Sequence, residues 1–393
     1  MTEAYIVAGL RTPVGKAGKG NLRFARPDDL AADVVRQLVR SVPALDPARI
    51  NDIIIGCAMP EAEQGFNMGR MVSLLADLPI SVPGMTVNRF CASGLETIAI
   101  AVAKIRAGMA DVVIAGGAES MSLVPMGGFK IAPNPKLVDT IPNYYLGMGL
   151  TAELVQAKYG ISREDQDQFA FQSHQKALAA IQSGVFNAEL VPITLERTWL
   201  NDKGKLAKET LTVQTDEGPR ADTTPERLAQ LKPVFLTGGT VTAGNSSQTS
   251  DGAAAVLIVS EKVVKELNLT PVARLVSYQV AGVHPEIMGI GPVEAIPLAT
   301  RQAGLSIQDI GLTELNEAFA AQSLAVIRQA GLNPDTVNVN GGAIALGHPL
   351  GCTGTKLSVQ LINEMKRRSV KYGMVTACVG GGQGVAGIFE RLG

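Results

Sequence analysis

Aromatic residues make up only 4% of this 393-residue chain, with a single tryptophan and three histidines. A core with so few rings must be built from Ala, Val, Ile and Leu, and a hydrophobic content of 46% supplies them. The net charge is only -1, so neither nucleic acid nor an anionic membrane surface has an electrostatic handle. No apolar run approaches the roughly 18 residues of a membrane span. The chain opens almost directly into an apolar strand at residues 4–8, which leaves no room for a signal peptide, and the expected location is cytoplasmic. Four cysteines in such a setting read as free thiols, and no pair has zinc spacing, so no metal is expected. There is no Walker loop. The Gly380 to Gly384 run lacks the acidic ribose partner of a dinucleotide fingerprint.

What the chain does have is glycine, 42 of them, and a pattern that repeats. The first half reads as a strand at 4–8, a helix at 29–39 and a strand at 52–56. A strand-turn-helix around Cys91 follows, and then a glycine-ended strand at 111–117. The second half reads as a strand at 273–278, a helix at 294–303, a strand into Asn316 and a helix at 318–329. It continues with a strand at 336–340, a helix at 354–366 and a glycine-ended strand at 374–378. Val87-Asn88 matches Val339-Asn340, and Ser93-Gly94 matches Thr353-Gly354. Short apolar strands alternating with helices predict an α/β fold of mixed sheets covered by helices. The closing strand of the second half, 385–390, follows its glycine loop at once, whereas its counterpart at 253–259 is delayed by more than a hundred residues. The extra material, with a helical core at 162–182 and a turn at Asn201-Asp202-Lys203-Gly204, should form its own subdomain over the site. The division expected is 1–120 with 243–269, an insertion at 121–242, and 270–393.

Thr86-Val87-Asn88-Arg89-Phe90-Cys91-Ala92-Ser93-Gly94 places Cys91 on a turn from strand to helix. A helix N-terminus favours thiolate over thiol, which makes Cys91 a candidate nucleophile. Taken alone, a small buried cysteine would be the commoner outcome. Three further stretches supply partners: Asn316-Glu317-Ala318-Phe319-Ala320, Gly347-His348-Pro349-Leu350-Gly351-Cys352-Thr353-Gly354, and Cys378-Val379-Gly380-Gly381-Gly382-Gln383-Gly384. His348 is bracketed by glycines and proline, which hold a ring in a loop that a ligand can approach. His174, in the polar helix of the insertion, reads as a solvated surface residue, and His284 as a loop residue that could line a pocket. Cys57 and Cys352 read as packing residues.

With these four motifs in order, the chain from Thr2 to its last residues resembles the thiolases, the coenzyme A-dependent Claisen enzymes. The resemblance implies two similar halves stacked as five layers (αβαβα) with a loop domain inserted in the first. It implies Cys91 as acyl carrier, His348 as its base, and Cys378 as the acid/base at the acetyl carbon, with the two sulfurs converging. Asn316 would orient a water that, with His348, binds the enolate oxygen; the amides of Cys91 and Gly380 would form an oxyanion hole. Glu317 is the competing acid or base, and the pattern makes it structural. Arg220 and Phe235 are implied at the nucleotide end of CoA and Ser247 at the pantetheine, with Met148 and Phe319 on the substrate side. The substrates are then acyl-CoA thioesters, with no resident cofactor. The assembly is a homodimer or tetramer formed through the first-half sheet, with room for a β-oxidation partner subunit.

Within that family, Thr86 to Cys91 and Met148-Gly149-Leu150-Thr151-Ala152-Glu153 look like the degradative branch. Acetoacetyl-CoA-forming relatives carry a histidine where this chain has Gly147, so a synthetic acetoacetyl-CoA thiolase is the alternative. A decarboxylating synthase would lack the second cysteine. A silent acyl-CoA or lipid carrier would be expected to have lost Cys91 or His348.

Overall fold

The computed structural model describes residues 2–200 and 203–393, so Asn201 and Asp202 of the expected turn lie outside the described residues. The first half comprises β1 (Ala4–Arg11), β2 (Gly15–Lys16), α1 (Pro27–Arg40), β3 (Asp52–Gly56), α2 (Met68–Leu75), β4 (Gly84–Val87), α3 (Ser93–Arg106) and β5 (Val112–Ser120). Next come α4 (Pro135–Thr140), α5 (Met148–Tyr159), α6 (Arg163–Gln182), the hairpin of β6 (Ile193–Leu200) and β7 (Leu206–Val213), and α7 (Pro225–Ala229). The first-half sheet resumes with β8 (Ser250–Ser260), followed by α8 (Glu261–Glu266). The second half is β9 (Ala273–Gly282), α9 (Gly291–Ala303), β10 (Leu312–Leu315), α10 (Ala320–Gln329), α11 (Ala343–Leu346), α12 (Leu350–Arg368), β11 (Tyr372–Val379) and β12 (Gln383–Arg391).

The repeat is explicit in the strand pairing. In the first half β1 and β8 are antiparallel, β8 and β5 antiparallel, and β5–β3 and β3–β4 parallel. The second half gives β9–β12 and β12–β11 antiparallel, then β11–β10 parallel. The two sheets touch through one pair, Ile6 with Ala273. Helices α1 and α2 cover one outer face, and α9 and α10 the other. Helices α3 and α12 lie between the sheets in a shared core of Leu95, Ile98, Val102, Leu357, Val359 and Leu361. Five layers result. The central position explains why α12 is buried apart from Asn363, Lys366, Arg367 and Arg368. The two central helices meet at glycines: a Cβ on Gly94 would come within 2.6 Å of the Thr355 amide, and one on Gly354 would strike the Leu95 amide. The matched dipeptides Ser93-Gly94 and Thr353-Gly354 are that crossing.

The expected strand at 336–340 does not form. Only Val337 bridges, to Thr313. Asn338 turns to φ +46° and its side chain makes the ladder bonds instead, accepting from the Leu315 amide at 2.8 Å and donating to the Leu315 carbonyl at 2.9 Å. A carboxamide can do this because it carries both a donor and an acceptor. The expected helix at 354–366 starts earlier, at Leu350, directly after His348-Pro349. In the insertion, Ser162 caps α6 by accepting from the Asp165 amide at 3.0 Å. Among the described residues no helix is long and apolar enough to cross a membrane.

Candidate active site

The Cys91 turn is built by its own polar side chains. The Asn88 carboxamide accepts from the Phe90 amide at 2.8 Å and donates to the Ala58 carbonyl at 3.0 Å. Ser93 accepts from the Arg89 amide at 2.9 Å and returns a bond to the Phe90 carbonyl at 2.7 Å. Phe90 is held at φ +43°, a conformation a bulky residue rarely adopts, and it swings Cys91 over the start of α3. Burial pushes the Cys91 thiol up to about 11, while bonds from the Gly380 amide and its own amide pull the other way. The expected thiolate is therefore corrected: desolvation outweighs the helix N-terminus, and the resting group is a thiol.

His348 arrives on a loop stitched to the first half. Its amide donates to the Gln248 carbonyl and to Ser250 Oγ, each at 3.1 Å. Gly347 sits at φ +93°, and a side chain there would collide with Ser250. The Thr353 hydroxyl donates to the Pro349 carbonyl at 3.1 Å, so at 2.6 Å from His348 Nδ1 its oxygen accepts. Nδ1 thus carries the proton, and Nε2 presents its lone pair to Asn316 Nδ2 at 3.3 Å. Burial, with Lys356 nearby, depresses the ring to about 3 and keeps it neutral. Asn316 is fully buried where β10 ends, and its Oδ1 has no partner among the described residues.

Cys378 lies fully buried in β11, one residue from its end, among Met148, Ala152, Val241, Met288, Ala318 and Phe319. Burial raises its thiol, and Cys91 raises it further, so the two sulfurs feel each other. An acid/base would be expected to titrate near its working pH, and burial instead holds the Cys378 thiol well above the ordinary cysteine value. Gly381 and Gly382, at φ +79° and +86°, turn the chain so that the Gly380 amide meets the Cys91 sulfur. A Cβ on Gly380 would lie 3.7 Å from the Phe90 ring and 3.8 Å from Met148 Sδ. The two thiols and the Gly380 amide thus come together from both halves, and the neutral His348 imidazole pairs with Asn316.

Residues 4–262 match the family model "Thiolase, N-terminal domain", and 269–391 match "Thiolase, C-terminal domain". This chain belongs to the thiolase family. It is 55% identical over 390 residues to the 3-ketoacyl-CoA thiolase of Bacillus subtilis (strain 168), covering 99% of this chain and 100% of that one. It is 46% identical over 396 residues to that of Escherichia fergusonii, with both chains fully covered. The structure superposes on the Bacillus anthracis acetyl-CoA acetyltransferase with a TM-score of 0.90, and on human mitochondrial 3-ketoacyl-CoA thiolase with 0.89. Each of those is 40% identical, with 100% of this chain and 99% of the other covered.

The remaining candidates surround this thiolase site unequally. The Phe235 ring stands edge-on to Phe319 at 6.1 Å and covers Gly149, where any side chain would run into it. Ser247 donates its amide to the Ala318 carbonyl at 2.9 Å, beside Phe319. Arg220 is exposed, and its amide donates to His174 Nδ1 at 3.1 Å. His174 is thereby corrected from surface to interior: it is 4% exposed, and burial with the Arg220 charge depresses it to about 4. Glu317 accepts from Ser173 Oγ at 2.7 Å, Asn338 Nδ2 at 2.8 Å and the Ile344 amide at 3.2 Å, which agrees with its structural reading. Cys57 and Cys352 are buried, as expected of packing residues. His284 lines an open surface hollow with Lys158 and Glu286.

Sequence reasoning missed Thr353, which sets the imidazole tautomer, and the polar group joining Arg89, Glu96, Tyr278 and Gln383. It also missed Glu119. A carboxylate near the end of the apolar strand Val112–Ser120 was a signal, because a buried charge needs partners.

Proposed function

We propose that this thiolase interconverts acyl-CoA plus acetyl-CoA with 3-oxoacyl-CoA plus CoA, working as the thiolysis step of fatty-acid β-oxidation. The observation that carries the reading is the meeting of the Cys91 sulfur with the Gly380 amide and Cys378 across two similar halves, with a neutral His348 paired to Asn316. In thiolysis the Cys91 sulfur attacks the 3-oxo carbonyl while its proton passes to His348 Nε2. Both groups are neutral at rest, so charge separates only as the new bond forms. The Cys91 and Gly380 amides hold the oxyanion. The bond between C2 and C3 then breaks, leaving the acyl group on Cys91 and an acetyl-CoA enolate. His348 and a water on the orphaned Asn316 Oδ1 stabilise that enolate, and Cys378 protonates it. In the second half-reaction the CoA thiol gives its proton to the Cys378 thiolate and attacks the acyl-Cys91 thioester, and the departing Cys91 sulfur takes back its proton from His348. Ser247 flanks the pantetheine, Met148 and Phe319 the acyl side, and Arg220 and Phe235 the nucleotide end.

In this reading the insertion at 121–242 is a loop domain covering the site. The chain works in the cytoplasm as a homodimer. The edge strand β4 carries half-buried residues throughout, and Phe66 and Ile80 near it are 98% and 77% exposed. Pairing across a two-fold axis would cover both. Light scattering should give twice the 41.2 kDa chain mass; a monomer at micromolar concentration contradicts the dimer.

Gly147 caps the start of α5 with open space around its Cα, which leaves room for an extended acyl group. The test is thiolysis kcat/KM along a series of 3-oxoacyl-CoA chain lengths. Each added methylene that is buried should contribute about 0.8 kcal/mol. Activity confined to acetoacetyl-CoA would move this thiolase to the synthetic branch.

A further inference from the structure

Glu119 is 1% exposed, and among the described residues no lysine, arginine or histidine forms an ion pair with it. Its carboxylate is instead ringed by N–H groups. Oε2 accepts from the Ala58 amide at 2.8 Å and the Gly351 amide at 2.7 Å. Oε1 accepts from the Met59 amide at 3.1 Å and Gln64 Nε2 at 2.7 Å, with Cys57 Sγ at 3.8 Å. Only an acceptor with two equivalent oxygens satisfies this set; a carboxamide would turn an N–H against one of the donors.

The donors come from both halves. Ala58 follows β3, and its carbonyl receives the Asn88 side chain that shapes the Cys91 turn. Gly351 lies in the first turn of α12, three residues beyond His348. A continuous path of hydrogen bonds therefore runs from the Phe90 amide through Asn88, Ala58 and Glu119 to Gly351. The surroundings leave no slack: a Cβ on Gly351 would sit 2.7 Å from Cys57 Cα and 2.8 Å from Glu119 Oε2.

We propose that Glu119 is a positioning residue for acyl transfer, holding the His348 loop in register with the Cys91 turn by accepting N–H groups from both halves. This rests on the roles proposed above for Cys91 and His348. The carboxylate touches no substrate and acts through the two loops. Its charge is also felt by the thiols of Cys57, Cys91 and Cys352, each of which it raises. Cys91 is faced, besides Glu119, by the Cys378 thiol and the Gly380 amide.

The experiment compares Glu119→Gln and Glu119→Asp in the full chain. It measures thiolysis kcat and KM, the acyl adduct by mass spectrometry, and the rate of Cys91 alkylation by iodoacetamide against pH. Glu119→Gln should lower kcat by roughly 10²-fold, as expected of misplaced reacting groups, with KM little changed. Its alkylation midpoint should move to lower pH, because a negative charge has left the neighbourhood of Cys91. Glu119→Asp keeps the charge, so its midpoint should return to the unaltered value and its kcat should lie between the other two. Loss of fold alone would reduce the active fraction without moving the midpoint. Unaltered kcat in Glu119→Gln overturns the proposal. Should that variant not fold, Glu119→Asp decides: reduced kcat at unchanged KM supports the proposal, and full kcat overturns it. An adduct on a residue other than Cys91 in the unaltered enzyme would instead overturn the roles beneath it.

Discussion

Arg89, two residues before Cys91, donates from Nη1 to Gln383 Oε1 at 2.9 Å, and Gln383 closes the glycine loop after Cys378. The same guanidinium bonds Glu96 on α3, which also receives the Tyr278 hydroxyl from β9. One half-buried polar group thus ties the loop of each sulfur to the other. Replacing Arg89 by Met, or Gln383 by Leu, should lower kcat, and the double variant should lose less than the two single losses combined. A coupling of about 0.5–3 kcal/mol is expected for contacting residues in one network. Strict additivity in kcat would show that the contact is incidental.

The two sulfurs should divide the chemistry. Cys91→Ser should abolish the acyl adduct and the exchange of labelled CoA into 3-oxoacyl-CoA. Cys378→Ser should still take an acyl group from an acyl-CoA, a step that moves no proton at the acetyl carbon. Thiolysis and condensation in that variant should slow by the ~10²–10⁴-fold typical of a lost acid/base. Mass spectrometry after brief incubation separates the roles; an adduct on Cys378 reverses them.

Acid should weaken the fold through its buried histidines. The unfolded chain takes up these protons near the ordinary 6.5, whereas the folded chain binds them only near 4 at His174 and near 3 at His348. Between those values the unfolded state holds more protons, so stability rises with pH and is lost as pH falls from about 6.5 toward 4. Each ring adds a slope of up to about 1.4 kcal/mol per pH unit. His174→Asn keeps an acceptor at the place of Nδ1 for the Arg220 amide and removes one such proton. Its urea stability should therefore fall less between pH 7 and pH 5 than that of the unaltered protein at equal concentration. An identical fall would sink the assignment.

Gly149→Ala tests the proposed place of Phe235 at the CoA site. The added methyl meets the Phe235 ring, which is 42% exposed and free to swing outward. The melting temperature should change little, while KM for CoA rises because Phe235 leaves its place beside Phe319. A raised melting temperature with unchanged KM would show that the ring adjusts without touching the ligand.

The repeat and the alternation of strands and helices were legible in the amino-acid order because their causes are local, whereas the five layers and the four candidate site stretches were legible through their resemblance to the thiolases. Glycines at 94 and 354 mark a helix crossing that admits no side chain, and apolar strands with glycine ends announce their sheets. Cys91, His348, Asn316 and Cys378 each carry a neighbourhood that constrains them within a few residues. Other features depended on partners far away in the chain. Asn338 took over a strand's hydrogen bonds only because Leu315 stood opposite, and His174 became interior only because the loop bearing Arg220 closed over it. The upward shift of the Cys91 and Cys378 thiols was likewise decided by tertiary burial, which outweighs the field of a single helix end. Glu119 shows the division most sharply. Its presence in an apolar strand signals that a partner must exist, but four N–H groups drawn from two loops and two halves could be assembled around it only by the folded chain.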